Sequence, residues 1–317
     1  MAKVYVTRQL PEGGLESLKK KHQVDINCDE LPLSRQQLLE VVKNYDAVIC
    51  LLNDRIDKEI IDAAKGKVKI FANYAVGYDN IDVEAARQAG VYVSNTPGVL
   101  TEATADLAWA LMLAAARQLI PAHSHTVAGK FARWEPTSFL GRDLHGATLG
   151  IIGAGRIGQA VARRAQGFGM QVLFYNKSPR PRLEQVGNAR WSSLEELLSK
   201  SDFVSIHVPL NNETKHMLNA QRLAMLKPTA VLVNTARGAI IDEAALAQAL
   251  KERQIFAAGL DVYEHEPEIH PDLLGLDNVV LAPHIGSASW NARIKMARMA
   301  ASNVESVLAG RPPVNAV

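Results

Sequence analysis

The sequence predicts an α/β protein made of two doubly wound parallel-sheet domains. Three observations carry this. Short apolar runs alternate with segments of helical periodicity along the chain, the pattern of strands crossed over by helices. One such run empties into the hexapeptide Gly153-Ala154-Gly155-Arg156-Ile157-Gly158, which opens one such helix. The length, 317 residues, exceeds what one core comfortably serves, so two domains are expected.

Residues 1–99 alternate short strands, at 4–7, 24–27, 47–51, 68–73 and 91–94, with amphipathic helices such as 34–43 and 57–64. No glycine fingerprint follows the first strand, so this half need not bind nucleotide. Two loops follow strands here, Leu51-Leu52-Asn53-Asp54 and residues 74–82. In open α/β sheets ligands sit outside the carboxyl ends of strands. Gly77 would let a small anion reach the main-chain N–H groups of Val76 and Gly77. The plainer reading of Gly77 is a turn before a helix capped by Asp82, and both readings stay open at this point.

Residues 101–118 form the longest convincing helix. It is apolar nearly all round and so is read as buried between larger bodies, with Thr104 and Asp106 in its first two turns. Residues 120–145 are read as an irregular aromatic and basic segment carrying Phe131, Trp134, Pro136 and Phe139, and exposed aromatics there suggest a subunit interface. His123 and His125 are two apart, on different helix faces, and no metal site is expected.

The strand at 148–152, the glycine turn and the helix after it are the context in which G-x-G-x-x-G means dinucleotide binding. Gly153 permits the tight turn, Gly155 lets a pyrophosphate approach the backbone, and Gly158 lets the helix sit close to the strand. The helix N-terminus offers unpaired N–H groups to the phosphates. A second strand, 171–175, ends at Asn176-Lys177-Ser178-Pro179-Arg180, where an acidic residue would hold the ribose 2′-OH of NAD. An amide, a hydroxyl and two cations would instead hold a 2′-phosphate, so NADPH is expected over NADH; a solvated turn is the plain alternative. Further strands are read at 203–207, 230–235, 257–260 and 279–281. The helix 289–308 is long enough to return to the first domain.

Three ionisable residues lie just past strand ends in the second domain: Arg237, Glu266 and His284. Reduction of a ketone by a nicotinamide needs a proton donor for the carbonyl oxygen, and His titrates near neutrality. It needs a carboxylate to orient and charge the imidazole, and a planar cation for the substrate carboxylate. Singly each residue has a dull explanation, as a cap, a surface acid or a core histidine. Together they form a catalytic set. His207 is read as holding a loop near the cofactor.

Bulk properties narrow the rest. Apolar residues make up 48% and charged residues 21%, and the net charge is +2, which gives no electrostatic case for nucleic acid or a membrane surface. No apolar run reaches a membrane span, and the first residues read as a strand rather than a signal peptide. Cys28 and Cys50 have no metal-like spacing and are read as small apolar side chains in a reducing cytoplasm.

Five motifs then point one way: NYAVGYDNID at 73–82, GIIGAGRIGQA at 150–160, VNTARG at 233–238, GLDVYEHEP at 259–267 and APHIGSAS at 282–289. Over nearly its whole length the chain resembles the D-isomer-specific 2-hydroxyacid dehydrogenases. Residues 96–114 and the Asn-Lys-Ser cluster make it most similar to their glyoxylate/hydroxypyruvate reductase branch. The resemblance implies a flavodoxin-like substrate domain from 1–99 plus 286–317, a Rossmann NAD(P)-binding domain from 100–285, and a cleft between them. It implies that Arg237 holds the substrate carboxylate, that Glu266 partners the acid/base His284, and that Leu52, Val76 and Gly77 line the substrate site. The cofactor set it implies is Thr104, Gly153, Ala154, Gly155, Arg156, Ile157, Gly158, Asn176, Lys177, Ser178, Arg180, Val208, Pro209, Thr214, Thr235, Ala236, Arg237, Asp261, His284 and Gly286. It also implies a homodimer through residues 118–146. Gln where Glu266 stands would favour formate, and Lys in place of Val76 would favour phosphite; neither is present. Phosphoglycerate dehydrogenases commonly keep an acid at position 176, which here is Asn. Reduction of 2-ketogluconate or another 2-oxo acid remains open, as does a nucleotide-sensing role like that of the related corepressors.

Overall fold

The computed structural model describes residues 1–177 and 189–317. The chain divides into two compact units, Met1–Leu100 with Ser287–Val317, and Thr101–Gly286.

In the first unit five strands form one parallel sheet: β1 (Lys3–Val6), β2 (Gln23–Ile26), β3 (Ala47–Cys50), β4 (Ile70–Asn73) and β5 (Tyr92–Ser94). Their order, β2-β1-β3-β4-β5, is the flavodoxin-like one. Strands β3 and β4 are buried along their full length, as continuous apolar runs in a doubly covered sheet must be. Sequence-coded caps set the helices. Ser34 and Gln37 close a capping box on Arg35–Asn44, while Asp57 caps Lys58–Ala64 and Asp82 caps Val83–Ala89. The helix Trp290–Leu308 buries Met296, Ala297, Ala300 and Val304. The C-terminal residues cover the β5 edge: Ser94 bridges to Ala316, and Val317 N donates to Val93 O at 3.1 Å.

In the second unit the described residues form a seven-stranded parallel sheet: β6 (Thr148–Ile152), β7 (Gln171–Tyr175), β8 (Ala189–Trp191), β9 (Phe203–Ile206), β10 (Val231–Asn234), β11 (Ala257–Leu260) and β12 (Val279–Leu281). The order β8-β7-β6-β9-β10-β11-β12 is that of a Rossmann fold extended by one strand. The helix Thr101–Ala116 lies close on β11, where a Cβ on Gly259 would come within 2.9 Å of Leu111 Cβ. Trp109 stacks on Phe168 at 4.7 Å and donates through Nε1 to Val161 O at 3.2 Å. Arg164 ties the helix down through Glu102 and Asp106, at 2.8 and 2.7 Å.

The fold class agrees with the sequence reading; several local features do not. Strand β8 escapes it because ARW has two exposed residues at a sheet edge and no apolar run. Residues 120–127, the start of the segment read as irregular, lie in the helix Leu119–Val127; Pro121 falls in its first turn, where the missing N–H costs nothing. The preceding helix stops at Ala116, and Gln118 turns the chain with φ 49°. Cys50 is buried, but Cys28 is exposed beyond the edge strand β2. No helix among the described residues is long and apolar enough to cross a membrane.

Candidate active site

The glycine turn follows β6, at the point where the strand order of the second sheet reverses. Gly153 has φ 99°, and a Cβ there would lie 2.6 Å from the His207 carbonyl, so the turn passes tightly over the end of β9. Gly158 packs the helix Arg156–Ala165 onto the turn: a Cβ there would collide with Gly153 O. Gly155 differs from both. Nothing lies within 4 Å of a Cβ at that position, and the helix that starts after it has no side-chain cap. Ala154, Arg156 and Ile157 complete the turn; Ala154 is buried and Arg156 is exposed. At the end of β10, Thr235 Oγ1 is buried without a hydrogen-bond partner among the described residues. An open glycine edge, an uncapped helix start and an orphaned hydroxyl fit a bound dinucleotide.

Asn176 Oδ1 accepts from Ala154 N at 3.0 Å, and Asn176 O accepts from Trp191 Nε1 at 3.4 Å, so this residue braces the glycine turn. Lys177 is exposed and paired with Glu213, its Nζ 2.8 Å from both carboxylate oxygens. Ser178 and Arg180 lie outside the described residues. After β9, half-buried Val208 and exposed Pro209 lead into a turn built by Asn211, whose Oδ1 accepts from Glu213 N and Thr214 N. Thr214 is buried and its hydroxyl is used within this turn, donating to Pro209 O at 2.7 Å and accepting from Asn211 N at 2.8 Å. His207 Nε2 is 2.8 Å from Ser205 Oγ, and desolvation lowers the imidazole to a pKa of about 3.

The three ionisable residues come from the ends of β10, β11 and β12. Gly238 makes the first junction possible: a Cβ there would collide with the Tyr263 carbonyl carbon, so only glycine lets the β10 loop lie against the β11 loop. Asn234, wholly buried, holds the β10 loop in shape, donating to Arg237 O at 2.8 Å and accepting from Ala236 N at 3.0 Å. Arg237 Nη1 donates to Ala236 O at 2.7 Å. Glu266 takes Tyr263 N at 3.1 Å on one oxygen and His284 Nδ1 at 2.7 Å on the other. Burial pushes the Glu266 carboxyl up. The hydrogen bond and charge of His284, the Tyr263 N–H and the nearby charge of Arg237 outweigh that and hold it below its ordinary range.

His284 has φ 54°, a left-handed conformation that costs a non-glycine residue about 1–2 kcal/mol. Asp261 sustains it. This carboxylate is wholly buried and accepts from Ile285 N and Gly286 N, both at 2.7 Å, which pins the turn immediately after His284. Burial raises the Asp261 carboxyl; the two N–H groups and His284 offset only part of the effect. Gly286 fits because a Cβ would crowd Asp261 Oδ2 at 3.1 Å and Thr104 Cγ2 at 3.4 Å. Asp261 is therefore the anchor of the His284 turn.

In the first unit Leu52 lies half-buried in the turn after β3, while Val76 and Gly77 lie half-buried after β4. Asn80 Nδ2 links the two loops, reaching Leu51 O at 3.0 Å and Asp54 O at 3.1 Å. Buried Asp54 accepts from Leu51 N at 2.7 Å and from the Thr7 hydroxyl. Sequence reasoning did not single out Asn73, Asn80, Asn95 or Asn234. For Asn73, Asn95 and Asn234 the signal was present: an amide at or just past the end of an apolar strand run, where a loop carbonyl must find a donor.

Residues 109–286 match the family model described as D-isomer specific 2-hydroxyacid dehydrogenase, NAD binding domain. The chain is 52% identical to the glyoxylate reductase of Thermococcus kodakarensis over 315 residues, 98% of this chain and 94% of that protein. A Thermus thermophilus protein of known structure superposes with a TM-score of 0.93 at 46% identity, covering 99% of each chain. The NADPH-dependent glyoxylate/hydroxypyruvate reductase of Sinorhizobium meliloti, solved in complex with NADP and malonate, superposes with a TM-score of 0.86 at 31% identity, covering all of this chain and 96% of that one. The described site and these likenesses agree: the chain belongs to the D-isomer specific 2-hydroxyacid dehydrogenase family.

Proposed function

We propose that this chain reduces a short 2-oxo acid, glyoxylate to glycolate or hydroxypyruvate to D-glycerate, with NADPH preferred over NADH. The observation that carries the reading is the 2.7 Å contact between His284 and Glu266, set beside Arg237 at successive strand ends of the dinucleotide-binding unit. When bound, the reduced nicotinamide supplies a hydride to the carbonyl carbon. His284 gives its Nε2 proton to the carbonyl oxygen. Glu266 holds the Nδ1 side of the ring and fixes its orientation, which leaves Nε2 for the transfer. Arg237 grips the substrate carboxylate with two parallel N–H groups. In the first unit the Val76 and Gly77 amides are the proposed anion-binding groups. Thr235 and the uncapped helix start hold the cofactor. The names of the Thermococcus and Sinorhizobium relatives support both the substrate and the cofactor.

The preference for NADPH rests on Asn176 and Lys177, with Ser178 and Arg180 beyond them in sequence. None of these four is acidic, so none would repel a 2′-phosphate. A second copy of this chain is proposed to cover residues 118–146, where Leu119, Val127, Phe131, Trp134 and Leu140 are all more than half exposed. Size-exclusion chromatography with light scattering tests that; a monomer at micromolar concentration refutes it.

The decisive assay follows NADPH absorbance at 340 nm on addition of glyoxylate, hydroxypyruvate and 2-ketogluconate in turn. Rapid turnover of one of the two short acids is expected. Cofactor binding without turnover of any 2-oxo acid would overturn the reading in favour of a nucleotide-sensing interaction protein.

A further inference from the structure

We infer that Asn73 and Asn95 are positioning residues: their side-chain amides hold the 75–78 backbone so that its N–H groups face away from the sheet edge, toward a substrate carboxylate. The inference rests on the proposed reading of the Val76 and Gly77 amides as the anion-binding groups of the first unit.

Three consecutive carbonyls in this loop are held. Ala75 O accepts from Thr96 N, Val76 O from Asn95 Nδ2 and Gly77 O from Asn73 Nδ2, each at 2.8 Å. The peptide bonds concerned are trans, since the cis bond of the described residues is Glu266–Pro267. In a planar trans peptide the C=O and the following N–H point in opposite directions. Tethering these carbonyls to groups at the ends of β4 and β5 therefore turns the N–H groups of Val76, Gly77 and Tyr78 the other way. None of those three N–H groups donates to another group among the described residues. Successive unpaired N–H groups are an anion receptor that carries no charge of its own.

The two asparagines are themselves fixed. Asn73 is wholly buried at the end of β4; its amide also lies 3.2 Å from Asn80 Oδ1, and Asn80 Nδ2 reaches back to Asn73 Oδ1 at 3.4 Å. Asn95 is held through its backbone: its N–H donates to Asn315 O at 3.2 Å and its carbonyl accepts from Asn303 Nδ2 at 3.4 Å. The residue type is constrained. Each site needs a neutral donor one methylene from the backbone, and an aspartate of the same shape would face a carbonyl with a second acceptor.

The test is steady-state kinetics of Asn95→Ala, Asn95→Asp and Asn73→Ala with glyoxylate, and with oxalate as a dead-end dicarboxylate. Loss of the tether is expected to raise KM for glyoxylate and the inhibition constant for oxalate about tenfold, the scale of one weakened hydrogen bond to a charged group. KM for NADPH should stay within twofold, and Asn95→Asp should be worse than Asn95→Ala. A merely structural role would lower kcat through a smaller active fraction and leave KM in place; that result overturns the inference. Where Asn73→Ala fails to fold, Asn95→Ala carries the test. Gly77→Pro, which deletes one N–H, separates the two levels. A folded Gly77→Pro protein with unchanged KM refutes the anion-binding reading itself. Raised KM in Gly77→Pro with unchanged KM in Asn95→Ala refutes only the positioning role.

Discussion

Glu266 Oε2 lies 2.7 Å from His284 Nδ1, and this single contact decides which imidazole nitrogen is left for chemistry. With Nδ1 engaged, Nε2 is the nitrogen proposed to give the proton. His284→Ala is expected to lower kcat by at least 100-fold, the scale of a lost general acid, with NADPH affinity nearly unchanged by fluorescence titration. Near-normal turnover would remove His284 from the mechanism.

Glu266 titrates below the ordinary carboxylate range, so it stays ionised as pH falls through 4.5 and its pairing with His284 persists there. Its contribution is present above the unfolded carboxyl pKa and is lost as pH drops through the lower, folded one. Glu266→Gln keeps the shape and removes the anion beside the ring. The kcat for glyoxylate reduction is expected to fall about tenfold or more, because the ring loses the carboxylate that orients it. An unchanged kcat would mean that the carboxylate has no part in orienting the ring.

Arg237→Ala should act on substrate rather than cofactor. Losing a charge-assisted pair of hydrogen bonds is worth roughly ten- to a hundredfold in KM for glyoxylate. A changed KM for NADPH with an unchanged KM for glyoxylate would reassign the residue.

Cofactor choice is testable at Asn176 and at the Lys177–Glu213 ion pair. Asn176→Asp places a carboxylate where the ribose 2′ position is proposed, and the NADPH/NADH ratio of kcat/KM should fall severalfold or more. Glu213→Gln releases Lys177 from a partner held at 2.8 Å, and KM for NADPH should fall at low salt. The pair is exposed, so the effect should fade by about 0.5 M salt. Opposite signs in either variant would refute the phosphate-site reading.

His207 predicts an acid sensitivity. Its folded pKa of about 3 lies below the ordinary 6.5, so between those values the unfolded chain binds a proton that the folded chain refuses. Stability from this group is whole above pH 6.5 and falls by about 1 kcal/mol per pH unit on acidification below it. His207→Gln retains a side-chain partner for Ser205 and should flatten the loss of Tm between pH 7 and 5. Equal slopes in the two proteins would mean that other groups govern acid unfolding.

Much of this molecule was legible before any coordinates. Apolar runs marked the strands, since a sheet covered on both faces leaves no polar position in its centre. The spacing of Gly153, Gly155 and Gly158 marked the turn, and Arg237, Glu266 and His284 stood out as charge just past strand ends. Some elements were hidden because their signal is weak or shared. Strand β8 is short, exposed and at an edge, and the helix Leu119–Val127 contains a proline that only its first turn tolerates.

Chain order alone settled the parallel α/β class and the chemical types gathered near each strand end, because local periodicity and side-chain chemistry are written residue by residue. Three-dimensional packing settled the rest. Gly238 proved necessary because the Tyr263 carbonyl fills the space a Cβ would need; Asp261 proved to be the anchor of the His284 turn; and Asn73 and Asn95 proved to tether carbonyls of a loop. Those contacts join backbone groups from different strands. A backbone N–H or C=O is the same in every residue, so the order of the letters does not say which ones will meet.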